Sequence, residues 1–137
     1  MDKIAETKEW FLNYIRHRDI VEKTIINIKE SKDKIFIEYK NKTTKVIIMP
    51  LVNGVDGLLE ELNASEEVTL VTLNNKKNLR SIIGVWEKLS AYSKFRIMFV
   101  NPKENEKWII NPYTHSKISP NIEKGLKGLF ETINEVK

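Results

Sequence analysis

The segment that decides the fold is VTLVTLNNKKNLRSIIGVWEKLSAYSKFRIMFV, residues 68–100. Its two ends are short and almost uniformly apolar, which is typical of strands that are covered on both faces. The residues between them repeat an apolar side chain at helical spacing, at Leu79, Ile82, Ile83, Trp86 and Leu89. The segment therefore predicts a strand, a helix and a second strand, the crossover unit of an α/β domain.

The patterns on either side of this crossover predict the remaining elements. They are a helix over 3–17 capped by Asp2, strands over 24–28, 34–39 and 44–49, a short helix over 55–63, a strand over 106–110, and a last helix that starts at Ser119-Pro120 with Ser119 as its cap. The crossover strands run over 67–73 and 95–100, and Asn75 or Asn78 caps the helix between them. Gly125 and Gly128 lie inside the last helix, where tight packing against the sheet is the expected reason for them.

The element order is therefore αβββαβαββα. It predicts one α/β domain over residues 1–137, with three layers and a mixed sheet flanked by helices.

Composition limits the class of protein. With 137 residues, 41% of them hydrophobic and 31% charged, the chain is expected to form one soluble core. It has no cysteine, so disulfides and thiolate metal sites are excluded. No apolar run approaches the roughly 20 residues that span a bilayer, and the N-terminus lacks the apolar core of a signal peptide, so we expect a cytoplasmic protein without a membrane partner. The net charge of +4 allows acidic partners without requiring them.

The element order resembles the restriction-endonuclease-like fold of the PD-(D/E)XK nucleases, whose core is a helix, a three-stranded meander, a helix and a further strand. The resemblance implies a site in which two carboxylates hold Mg²⁺ and a lysine assists the attacking water. In one register Glu38-Tyr39-Lys40 supplies the Glu-x-Lys motif, with Glu30 or Asp33 as the upstream acid.

The second register places the motif on strand 68–73, where the topology fits the family better. Its motif positions are Thr72, Asn74 and Lys76, which offer no carboxylate, so Asp56 as the upstream acid would have no partner. The register that fits the family's topology thus lacks the catalytic carboxylates. This favours a non-catalytic relative of the nucleases.

Two further groups of residues are candidate binding sites. Lys76, Lys77 and Arg80 lie at a predicted helix start, where backbone N–H groups also favour anions. Trp108, Tyr113 and His115 belong to a predicted Pro-bounded loop and are candidates for an interface. Further basic residues gather at Arg16, His17 and Arg18 and at Lys40, Lys42 and Lys45, and a phosphate-tracking groove would follow if all three basic sets converged.

No motif indicates a cofactor. The chain has neither a Walker loop nor Gly-x-Gly-x-x-Gly, and its only histidines, His17 and His115, are too few for a histidine-rich zinc site. We therefore predict a non-catalytic binding or assembly module on a nuclease-like fold, without metal or cofactor. A protein partner or self-association is slightly favoured over nucleic acid. The alternatives are a Mg²⁺-dependent nuclease using Glu38 and Lys40, and a phosphate-tracking nucleic-acid-binding module.

Overall fold

A computed structural model describes residues 2–118 and 120–136. The helices are α1 (Lys3–Glu22), α2 (Val55–Glu60), α3 (Lys76–Gly84), α4 (Trp86–Leu89), α5 (Pro112–Ile118) and α6 (Ile122–Phe130). The strands are β1 (Ile25–Glu30), β2 (Lys34–Tyr39), β3 (Thr43–Ile48), β4 (Glu67–Leu73), β5 (Phe95–Asn101) and β6 (Glu106–Ile110).

The strands form one mixed sheet in the order β1-β2-β3-β4-β5-β6. The first three strands make an antiparallel meander, β4 and β5 run parallel to β3, and β6 returns antiparallel at the far edge. The parallel pairs follow from the crossovers through α2 and through α3 and α4, because a parallel neighbour cannot be reached by a tight turn. The predicted α/β class and mixed sheet are confirmed.

Two apolar cores lie on opposite faces of the sheet. On one face α1 packs Phe11, Leu12 and Ile15 against the alternate strand residues that point towards it. The other face carries the larger core, to which α2, α3, α4 and α6 contribute. Residues 68 and 70 of β4 belong to the second core and residues 71 and 73 to the first, as the alternation of a strand requires. The helices therefore flank the sheet on both faces.

Three helix predictions were wrong. Helix α1 continues to Glu22, because the apolar face of residues 3–17 is followed by further helix-compatible residues and the chain turns only at Lys23, in the left-handed conformation at φ 51°. The crossover helix is divided at Val85 into α3 and α4. Residues 112–118, predicted as a loop, form α5, which begins at Pro112 and packs against α4 and β5.

The last helix begins at Ile122 with Asn121 as its cap, two residues after Pro120. Asn121 provides a side-chain oxygen that accepts from the Lys124 N–H, a stronger start signal than the proline. The predicted cap Ser119 lies outside the described residues. At Gly128 a Cβ would meet nothing within 4 Å, so the expected tight packing there was also wrong.

Candidate nucleic-acid interface

The corner after β4 is built around the amide of Asn74. This side chain is fully buried, its Oδ1 accepts from the Trp108 Nε1–H at 2.8 Å, and its Nδ2 donates to the carbonyls of Phe130 and Asn134 at 3.3 Å each. A carboxylate cannot do this, because it has no donor for the two carbonyl oxygens. In the second nuclease register Asn74 occupies the position of a metal ligand. In the structure its amide instead joins β4 to β6 and to the C-terminal segment.

The neighbouring asparagines also serve the fold. The Asn75 side chain accepts from the Asn78 N–H at 2.8 Å and caps α3. The buried Asn78 amide donates to the carbonyls of Pro50 and Leu73 at 2.8 and 2.9 Å and accepts from the Val52 N–H at 2.9 Å. These contacts fix the segment between β3 and α2 against the end of β4.

Lys76, Lys77 and Arg80 are exposed at the start of α3. The backbone N–H of Lys76 donates to the Glu135 carboxylate at 3.0 Å. A carboxylate is favoured at a helix start for the same reasons that a phosphate is. The position at which sequence predicts an external anion is therefore held by an acidic side chain of the same chain.

The residues of the Glu38-Lys40 register do not assemble a metal site. Glu38 lies exposed near the end of β2, opposite Thr43 of β3 and Asn27 of β1. Asp33 and Glu30 lie at the other end of the hairpin, and the five residue steps from Asp33 to Glu38 along an extended chain span about 16 Å. Lys40 follows the end of the strand, and its backbone N–H donates to the Thr24 carbonyl at 2.8 Å. No group of three metal-ligating side chains occurs among residues 2–118 and 120–136.

The predicted aromatic anchor at Trp108 was wrong. The indole is only 6% exposed and stacks on Phe99 with ring centroids 4.3 Å apart. Trp86, which packs edge-on against His115 at 5.8 Å, is 7% exposed. Tyr113 is half-buried, and Lys117 lies over its ring and donates to its hydroxyl at 2.6 Å. Alternating apolar strand residues face the core, and this places Trp108 inside.

One residue from each of two predicted basic sets, Arg18 and Lys42, lies at the same end of the sheet. Because β3, β4 and β5 are parallel, their first residues share one edge, which also receives the end of α1. Arg18 of α1, Lys42 before β3 and Arg96 of β5 converge there on a cleft of about 290 Å³. We call it the basic cleft; its other lining residues are Ile15, Asp19, Glu22, Thr24, Ile25, Tyr39 and Asn41.

The three cations of the basic cleft are held by acidic partners. Glu67 Oε1 accepts from Lys42 at 3.2 Å and from Arg96 at 3.5 Å, while Arg18 pairs with Glu22 at 3.3 Å. The cationic side chains are 42–52% exposed, so these pairs are partly hydrated and weak. A phosphate that binds here competes with Glu22 and Glu67 for these cations.

Two further groups shape the basic cleft. Burial raises the pKa of the Tyr39 hydroxyl above its usual value, so this group remains a neutral hydrogen-bond donor. Burial also tends to raise the pKa of Asp19, but the N–H donors of Thr24 and Ile25 outweigh it and hold that pKa below its usual value. The Asp19 Oδ1 accepts from them at 2.7 and 3.1 Å, so this acid fixes the turn between α1 and β1.

The third basic set lies at the opposite end of the sheet. Lys76, Lys77 and Arg80 follow the last residue of β4, about 20 Å along the strand from its first residue. A groove that joins all three basic sets is therefore not formed.

Sequence analysis missed Arg96 and Tyr39 as members of a site. Arg96 is the one charged residue of the strand FRIMFVN, residues 95–101. A lone charge at the start of an otherwise apolar strand was a usable signal. Tyr39 carried no such signal, since aromatic residues are common in strands.

The fold and the site together define an α/β protein with a six-stranded mixed sheet and a basic cleft at the edge where the parallel strands begin. No helix in the described ranges is long and apolar enough to cross a membrane. No protein-family model matches the chain, and no solved structure matches it.

The chain is similar to a curated protein that belongs to a branch migration complex, as its name states. It is the Holliday junction branch migration complex subunit RuvA of Prochlorococcus marinus (strain MIT 9312), with 28% identity over 128 residues. The alignment covers 82% of this chain and 57% of the relative, so the chain spans a little more than half of that protein's length.

Proposed function

We propose that this chain is a non-catalytic nucleic-acid-binding module that works within a larger assembly and contacts phosphates through the basic cleft. The observation that carries the proposal is the convergence of Arg18, Lys42 and Arg96, which come from three separate parts of the sequence. Cations that converge on a concave site attract phosphate more strongly than the same charges scattered over a surface. Two of the three are arginines, whose planar guanidinium binds phosphate oxygens in pairs.

The similarity to RuvA supports both parts of the proposal. That relative is named as a subunit of a Holliday junction branch migration complex. Because the chain spans 57% of the relative, we carry over nucleic-acid binding and assembly only. Because of this similarity we propose nucleic acid within an assembly as the partner, in place of the protein partner that the sequence slightly favours.

We also propose that α1 to β4 is a restriction-endonuclease-like core without the catalytic set. Its helix, antiparallel meander, helix and parallel strand follow the element order of that family. The amide of Asn74 and the distance between Glu38 and Asp33 support the absence of metal-dependent catalysis in this core.

The test compares two triple variants of equal charge. R18Q/K42Q/R96Q replaces the three cations of the basic cleft with neutral side chains. K76Q/K77Q/R80Q removes three cations at the other end of the sheet. Each variant lowers the net charge from +4 to +1, since three positive charges are lost. Fluorescence anisotropy with a labelled single strand, a duplex and a four-way junction measures the dissociation constant for each form.

Each phosphate contact to a single strand contributes about fourfold to affinity near 0.15 M salt, so three contacts amount to about 50-fold. We expect the cleft variant to lose about that factor and the control variant to stay within about threefold of the wild type. Equal losses of affinity in the two variants would show that binding depends on the net charge of the protein and not on the basic cleft. An absence of binding by the wild type to all three probes at low salt would overturn the proposed function.

A further inference from the structure

An aromatic and cationic row runs along one side of α1 towards the basic cleft. Trp10, Tyr14 and Arg18 are spaced by four residues and therefore lie above one another on the helix. The row covers about 12 Å of helix, which is the length of about three nucleotides at the 3.4 Å spacing of a stacked strand. Arg18 belongs both to the row and to the basic cleft.

The row is a stack of flat groups. The rings of Trp10 and Tyr14 are nearly parallel, at 5° and 5.4 Å between centroids. Arg18 lies over the Tyr14 ring at 5.7 Å and donates to its hydroxyl at 3.1 Å. From β6, Lys107 lies over the same ring at 5.1 Å.

Neighbouring residues fix the orientation of these rings. The Trp10 Nε1–H donates to the Asn105 side chain at 2.9 Å, beside the turn that joins β5 to β6. Trp10 and Tyr14 are half-buried, whereas Trp86 and Trp108 are buried. The orientation of the two rings is thus fixed before a ligand binds, and a base that stacks on Tyr14 displaces Arg18 or Lys107 from the face of its ring.

We infer that this row binds single-stranded nucleic acid, with unpaired bases stacking on the Trp10–Tyr14–Arg18 row and phosphates held by Lys107 and the basic cleft. The inference rests on the proposed function and specifies its substrate class. Aromatic rings and guanidinium planes alongside cations bind unpaired bases, since every base presents a flat face. A duplex keeps its bases paired and stacked inside, so it can use only the cations.

Trp10 provides a direct probe, because it is the one tryptophan of three that is partly exposed. A twelve-nucleotide oligothymidylate and a twelve-base-pair duplex are titrated while tryptophan emission and acrylamide quenching are recorded. The single strand is expected to change the emission and to protect Trp10 from quenching. W10F, which keeps a ring in the row, is expected to bind while losing this signal.

The affinity test compares Tyr14 with a matched tyrosine. Y14L removes the stacking ring, while the control Y113L removes a tyrosine that also has a cation four residues later, at Lys117. Loss of one stacked base predicts at least a fivefold weaker dissociation constant for Y14L with the single strand, and no change for Y113L. Y14F keeps the ring but loses the hydroxyl to which Arg18 donates, so the loss that Y14L shows beyond Y14F is assigned to stacking, and circular dichroism of both variants checks that they fold.

The outcomes distinguish this inference from the proposed function. If the duplex binds as tightly as the single strand, or if binding leaves Trp10 emission and quenching unchanged, the inference is overturned and the proposed function stands. If neither probe binds at low salt, both are overturned.

Discussion

Replacing Asn74 tests whether the corner after β4 is structural. N74A leaves the Trp108 Nε1–H and the Phe130 carbonyl without the partners that they have at 2.8 and 3.3 Å. The Asn134 carbonyl keeps a donor, because the Asn101 Nδ2 also reaches it at 3.1 Å. A buried polar group left without a partner costs about 1–3 kcal/mol, so N74A is expected to lower the free energy of unfolding by about 3 kcal/mol.

The assay is urea denaturation followed by circular dichroism, with N75A as the control. Asn75 is a helix cap at 2.8 Å from the Asn78 N–H, and its loss is expected to cost about 1 kcal/mol. N74D keeps the acceptor for Trp108 but turns an oxygen towards two carbonyls, so we expect it to destabilise the fold at least as much as N74A. If N74A costs no more than N75A, or if N74D is neutral, the structural role assigned to Asn74 is wrong.

Three further predictions concern stability and catalysis. G128A should raise the free energy of unfolding by about 0.5–1 kcal/mol in a denaturant titration, because a Cβ meets nothing there and alanine favours the helix; a loss would contradict this. Hydrogen bonding from Lys45, then from Lys34, holds the pKa of Glu61 below its usual value. The stability that Glu61 adds is therefore present above about pH 4.3 and lost as pH falls through its folded pKa, so wild type and E61Q should converge in acid melts. Incubation of wild type and E38Q with DNA and Mg²⁺ or Mn²⁺ should give no cleavage; cleavage by the wild type that E38Q abolishes would restore the nuclease interpretation.

Much of the fold was predictable because its signals are local. The strands over 67–73 and 106–110 and the Asp2 cap are defined by neighbouring residues, and all three were predicted as they occur. The division of the crossover helix at Val85 and the helix at Pro112–Ile118 depend on tertiary packing between α4, α5 and β5, which a local pattern does not contain.

The candidate site was less predictable, because it depends on distance in space. Arg18 and Arg96 are far apart in sequence and meet only because α1 ends where β5 begins. Lys76 and Arg80, which look like the more compact anion site, lie at the opposite end of the sheet beside Glu135. The order of strands in a sheet, which sequence pattern specifies weakly, decides which basic residues are neighbours.

The most direct test of the central claim is the salt dependence of single-strand binding. Each phosphate neutralised by the protein contributes about 0.7 to the slope of log affinity against log salt. The account predicts that R18Q/K42Q/R96Q lowers this slope by about 2, while K76Q/K77Q/R80Q leaves it unchanged. A slope that falls only in the second variant would place the phosphate contacts at the start of α3 and contradict the account.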